Sequence, residues 1–172
     1  TLVSVLSRMK PADLPKLEWP KVGQPGGRAG AFEGWLQRFA LDVGGLHCLI
    51  GAYWDLALDV ASAAHQQYVR CGPLERPGIR PAQPHEFTAQ GENFDHYQAV
   101  EFRLRGLLMH VMPESVRQQC LSTRLTSTTD IMFSGFVGAG PGTGVDKTAL
   151  RAVSTGRSVA AGGCLPGAAI LE

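Results

Sequence analysis

The side chains able to do chemistry are scattered along this chain, and each group can be held against what its reaction needs. Residues Gly138 to Thr148 read GAGPGTGVDKT, which has the outline of a phosphate-binding loop. A P-loop needs a glycine six places and another one place before its lysine, so that backbone N–H groups cradle the phosphate. Counting back from Lys147, those places hold Pro141 and Asp146, and an acid beside the lysine repels phosphate. The preceding residues also read as helix, whereas a P-loop follows a strand. A turn between helices is the better reading, with nucleotide binding at 138–148 as the alternative. His47-Cys48 sets an imidazole beside a thiol, the pair used in nucleophilic catalysis. Neighbours on a helix point in different directions, so a dyad there needs His65, His85, His96 or His110 brought in by the fold, and no spacing supports that.

The remaining candidates have plainer readings. His85-Glu86 and Glu92 to Asp95 put carboxylates in a loop, where acids are usually solvated rather than paired for acid–base work. Trp35, Phe39, Tyr53, Trp54 and Tyr68 could stack nucleic-acid bases, but at helical spacing they read as core. Arg103, Arg105, Arg117 and Arg124 read as a solvated face, with an RNA-contacting patch as the lesser alternative. The four cysteines, at 48, 71, 120 and 164, include no closely spaced pair of the zinc-site kind, and reduced thiols are expected. A Cys-x2-Cys-x4-His-x4-Cys zinc knuckle is absent. No residue is therefore assigned a catalytic, cofactor-binding or metal-binding role, and a non-enzymatic domain without cofactor is expected.

The bulk numbers suit a single domain. At 172 residues and 44% hydrophobic the chain can bury a core, while a net charge of +1 with interspersed signs gives no basic stripe. The 21 glycines and 11 prolines imply short helices and long loops. The apolar run around Leu46 to Val69 is interrupted by His47, Asp55 and Asp59 and falls short of the roughly 20 residues that span a bilayer. The first ten residues are too short and polar for a signal peptide. A cytoplasmic protein with no membrane partner is expected, and Thr at position 1 suggests a piece of a longer reading frame.

The elements that must carry these residues are helical. Residues 1–31 hold Pro11, Pro15, Pro20 and Pro25 with four glycines, and read as an irregular extended segment from which Leu17 and Trp19 dock on a core. Phe32, Trp35, Leu36, Phe39 and Val43 then mark one face of a helix that Gly44 and Gly45 should end. A second helix is expected from about 50 to 69, lined by Tyr53, Trp54, Ala57, Leu58 and Ala61. A loop at about 72–93 follows, broken by Pro73, Pro77, Pro81 and Pro84. Tyr97, Val100, Leu104, Leu107, Leu108 and Val111 form the cleanest apolar stripe, with Glu101, Arg103 and Arg105 on the other side and Asn93 or Asp95 as the cap. Pro113 should open a helix over 115–124 with Val116, Cys120 and Leu121 facing inward. Ser127 and Asp130 have capping-box spacing for a helix with Ile131, Met132, Phe133, Phe136 and Val137 on its apolar face. A short helix at 145–153 and a loose tail at 154–172 complete the reading: an all-α bundle over 32–153, flanked by irregular ends.

The order of these elements resembles the Gag-like capsid region of Ty1/copia-type retrotransposons, in particular the dinoflagellate-type polyproteins. The resemblance rests on Val100-Glu101-x-Arg103, Leu107-Leu108-Met109, Val111 to Val116 (VMPESV), Ile131-Met132-Phe133, and Pro141-Gly142 followed by Asp146-Lys147. Upstream, Leu14-Pro15-Lys16-Leu17, Trp35-Leu36, Trp54, Tyr68 and Pro73 to Arg76 fall in similar order, so the likeness spans about 14–150. Two places depart from it: the Gly138–Gly144 junction lacks the usual Tyr-Gln-Pro-Gly-Gly, and the tail beyond Arg151 lacks a helical continuation. What the resemblance implies is a structural segment that self-associates as a homo-oligomer and packages element RNA. A separate segment would supply most of the nucleic-acid binding, with only weak RNA contact here. A decayed, non-functional copy is a further alternative.

Overall fold

The computed structural model describes residues 1–89 and 92–140. Those residues form seven α-helices and two short 3-10 turns, so the fold is all-α as the sequence predicts. The helices are α1 (Leu2–Arg8), α2 (Gly27–Leu46), α3 (Cys48–Arg70), α4 (Pro84–Thr88), α5 (Phe94–Val111), α6 (Glu114–Thr123) and α7 (Thr128–Ala139). No described helix is long and apolar enough to cross a membrane. The expected helix at 145–153 and the tail at 154–172 lie outside the described residues.

Helix α7 is the centre of the bundle, packed against α2, α3, α5 and α6. Its capping box forms as read: Ser127 Oγ accepts from Asp130 N at 3.1 Å, and Asp130 Oδ2 accepts from Ser127 N at 3.3 Å. Ile131, Met132 and Phe136 are fully buried, while Phe133 and Val137 are only half-buried. The core around it takes Phe32, Trp35, Leu36 and Phe39 from α2, Tyr53 and Trp54 from α3, and Leu104 and Leu108 from α5. The aromatic stripe of α2 meets that of α3 directly, Phe39 and Trp54 lying 4.6 Å apart between ring centroids. Burying such rings supplies the main driving force, about 25 cal/mol per Å² of apolar surface removed from water.

Four local expectations are corrected. Gly44 and Gly45 do not end α2, which runs on to Leu46 and turns into α3 through His47 alone. The reason is packing: a Cβ on Gly51 would sit 3.2 Å from the Gly44 Cα, so bare backbone lets α2 and α3 cross closely beside their junction. Within the N-terminal segment expected to be extended, residues 2–8 are helical, with Leu2 and Leu6 buried, and α2 begins at Gly27. Asn93 occupies the N-cap of α5 but its side chain makes no capping bond. Leu121 faces solvent at 55% exposure because α6 packs through Val116 and Cys120, and the next residue is turned about 100° away. The loop at 72–93 is also more ordered than its prolines suggest. It contains a 3-10 turn at Arg76–Gly78 and then α4, which starts on Pro84 with Gln83 N donating to Glu86 Oε2 at 2.5 Å.

Candidate functional site

Three buried or half-buried polar arrangements stand out, and each begins from a side chain placed by a core helix. The deepest joins α3, α5 and α7. Glu101, which the helical pattern assigned to the solvent side of α5, is buried at 9% exposure. Its Oε2 accepts from the Tyr53 hydroxyl and its Oε1 accepts from Thr128 N at 2.9 Å. A carboxyl group is tolerated there because it meets the free N–H of the first turn of α7, where the helix dipole is positive. Tyr53 is held well above the usual phenol range by burial first and then by the Glu101 carboxyl, so it stays a neutral donor. The arrangement is a three-helix lock in which the Glu101 carboxylate is engaged at both oxygens, while the buried Thr128 hydroxyl makes no hydrogen bond.

The second arrangement is histidine-based. His47 is the N-cap of α3, its Nδ1 accepting from Leu49 N at 3.1 Å. The Cys48 sulfur lies 3.8 Å from the same nitrogen, so the two neighbours do approach each other. They do not make a nucleophilic pair, because Nδ1 already accepts from Leu49 N. Cys71 and Cys120 are free. Burial lowers the His47 pKa, with the chain amino terminus and His96 adding to it. His65 is buried against Phe136, their rings stacked at 5.2 Å, and burial lowers its pKa too. Among the described residues no three His, Cys, Asp or Glu side chains gather in a way that could hold a metal ion.

The third arrangement is a groove of about 530 Å³ between the 73–81 loop and the outer faces of α6 and α7. Pro77, Ile79, Leu125, Phe133 and Val137 give it apolar walls, and Tyr68 stands at its back. Phe133 meets the Tyr68 ring edge-on at 5.8 Å, and the Arg76 guanidinium covers that ring at 5.1 Å. Arg80 lies on the rim with no hydrogen bond or ion pair among the described residues. Asp130 reaches the same space but is engaged, accepting from the Ser127 hydroxyl at 2.7 Å and from Gln83 Nε2 at 3.2 Å. A smaller pocket of about 410 Å³ separates α1 from the end of α2.

The other sequence candidates fall outside all three. Trp35, Phe39, Tyr53 and Trp54 are core, and only Tyr68 of the aromatic set reaches a surface groove. The arginines have separate jobs. Arg103 donates to the carbonyls of Leu6 and Met9 and so ties α1 to α5. Arg105 lies over the exposed Phe102 ring, Arg117 pairs with Glu114 at 2.5 Å, and Arg124 closes α6 in the left-handed region at φ 56°. Glu86 caps α4. Of the Gly138–Thr148 tract, residues 141–148 lie outside the described residues. Gly138 is a packing glycine in α7, since a Cβ there would come within 3.2 Å of the Trp19 ring. The groove was missed because its walls come from four separated stretches; the only local signal was the proline-rich loop. Against family models, curated proteins and solved structures, the chain matches none.

Proposed function

We propose that this chain is a structural, self-associating domain of the retrotransposon Gag type, acting as a homo-oligomer that helps to enclose element RNA. The observation that carries the reading is how the described polar side chains are used. The Tyr53–Glu101–Thr128 lock, the His47 cap and the Ser127–Asp130 box are all spent on holding helices together. A site that performs chemistry keeps a reactive group facing a space for substrate. A domain whose task is to present surfaces has no such need, and the groove beside the 73–81 loop has apolar walls with Arg80, unpaired among the described residues, at its rim.

The residues behind the resemblance also occupy coherent places. Val100, Glu101 and Arg103 lie together on α5, VMPESV is the α5–α6 corner, and Ile131 to Phe133 sit in the first half of α7. These placements support the reading without depending on any single motif. The test is sedimentation of the purified chain across the micromolar to millimolar range, with and without single-stranded RNA. Growth of the assembly with concentration, promoted by RNA, is expected. A strict monomer under every condition would sink the proposal.

A further inference from the structure

We infer that the groove between the 73–81 loop and helices α6 and α7 is a docking surface for a second copy of this chain. The inference rests on the self-association proposed above and gives it an address. Next to the groove stands an apolar knob of the same loop. Leu74 is 97% exposed, although Pro73 before it and Arg76 shortly after it both line the groove. A leucine held out in water by a turn that is itself hydrogen-bonded, Glu75 N donating to the Gly72 carbonyl at 3.0 Å, gains nothing for the folded monomer.

Charge selects the occupant. Glu75 follows Leu74 directly and is exposed, its Oε2 accepting from Gly72 N at 3.3 Å, so the knob carries an acid beside its apolar tip. The groove offers the complement: apolar walls for the leucine, and on its rim Arg80, without a partner among the described residues. Arg76 adds a second cation whose Nε is buried and makes no hydrogen bond. Knob and hole also lie side by side on one patch. A two-fold axis through that patch sets each Leu74-Glu75 over the other copy's groove, a self-complementary contact that closes on itself. A single small patch of this kind belongs among weak interfaces, below about 1,200 Å² of buried surface, and so yields a dimer in rapid exchange. A larger assembly requires a further contact elsewhere on the protomer.

The experiment is sedimentation of the full chain beside Leu74→Asp, Glu75→Arg, Arg80→Glu, the Glu75→Arg/Arg80→Glu double variant and Phe102→Asp, each checked by circular dichroism. Leu74, Glu75 and Arg80 are exposed, and the hydrogen bond that Glu75 Oε2 accepts from Gly72 N lies within the turn, so the helices keep their fold in these variants. The wild type should dimerise, and Leu74→Asp should weaken dimerisation about tenfold or more. Each charge reversal should weaken it, and the double variant should restore it. Phe102, equally apolar and 71% exposed on α5, should be indifferent. Wild-type dimers that ignore Leu74→Asp, a double variant no better than the singles, or loss of dimers in Phe102→Asp alone would overturn this surface while leaving self-association standing. A wild type that stays monomeric would overturn both.

Discussion

The four core helices α2, α3, α5 and α7 and the two segments hung on them, residues 1–20 and 72–89, are secured in different ways. The core helices meet through apolar faces that each helix brings ready-made, and ring packs against ring. The hung segments add aliphatic side chains to that core, Leu2, Leu6, Met9, Leu14 and Leu17 from the first of them, and are held as well through their backbone. Arg103 grips the carbonyls of Leu6 and Met9, and Trp35 Nε1 donates to the Pro15 carbonyl at 2.7 Å. Leu17 N donates to the Val111 carbonyl at 2.8 Å, and the Thr129 hydroxyl donates to the Ala82 carbonyl at 3.0 Å. In each pair the core helix supplies the anchoring group and the irregular segment supplies a main-chain atom.

That asymmetry can be broken most severely from the core side. Leu104 is fully buried, and Leu104→Asp places an unpaired charge among apolar neighbours at a cost of about 4 kcal/mol or more, which should unfold the domain. Loss of helical circular dichroism is the expected result, and a folded variant would show that the α5 stripe is not the core. Next in size is Glu101→Ala, which strands the Tyr53 hydroxyl and the Thr128 N–H in the interior. A loss of about 3 kcal/mol in urea unfolding is expected, against a smaller loss for Tyr53→Phe, which leaves the α7 cap in place.

Gly135→Ala tests how tightly α7 is seated. The added Cβ would lie 2.7 Å from the Phe32 ring, which the core holds in place, so a cost of about 1–3 kcal/mol is expected in the same assay. Arg103→Ala sharpens the contrast from the other side. It should free α1 with only about 1 kcal/mol lost globally, seen as faster amide exchange over residues 2–8 and unchanged exchange in α3. Equal loss of protection in both helices would erase the distinction between core and hung segment.

The smallest expected effect is on pH. His65 and His47 both have folded pKa values below the usual 6.5, chiefly through burial, so the unfolded chain takes up protons more readily. Stability from these groups is present above 6.5 and is lost as pH falls through the folded values. His65→Phe, which keeps a ring against Phe136, should flatten the decline below pH 6.5 in thermal melts. An unchanged slope would remove His65 from that account.

The sequence by itself determined the helical class, the inward faces of α2, α3 and α5, and the Ser127–Asp130 start of α7. Those features follow from spacing along one element, which a linear pattern records directly. It also separated most of the core aromatics from surface candidates. Only the tertiary structure decided the rest. Glu101 looked like a solvent residue because its buried donors, Tyr53 and Thr128, come from other helices. Gly44 looked like a helix stop because its use, a close crossing against Gly51, depends on the angle between α2 and α3. The groove beside Leu74 exists only once the 73–81 loop lies across α6 and α7. A helix face is a property of nearest neighbours in sequence, whereas a partner for a buried carboxyl, a close backbone approach and a groove are properties of neighbours in space.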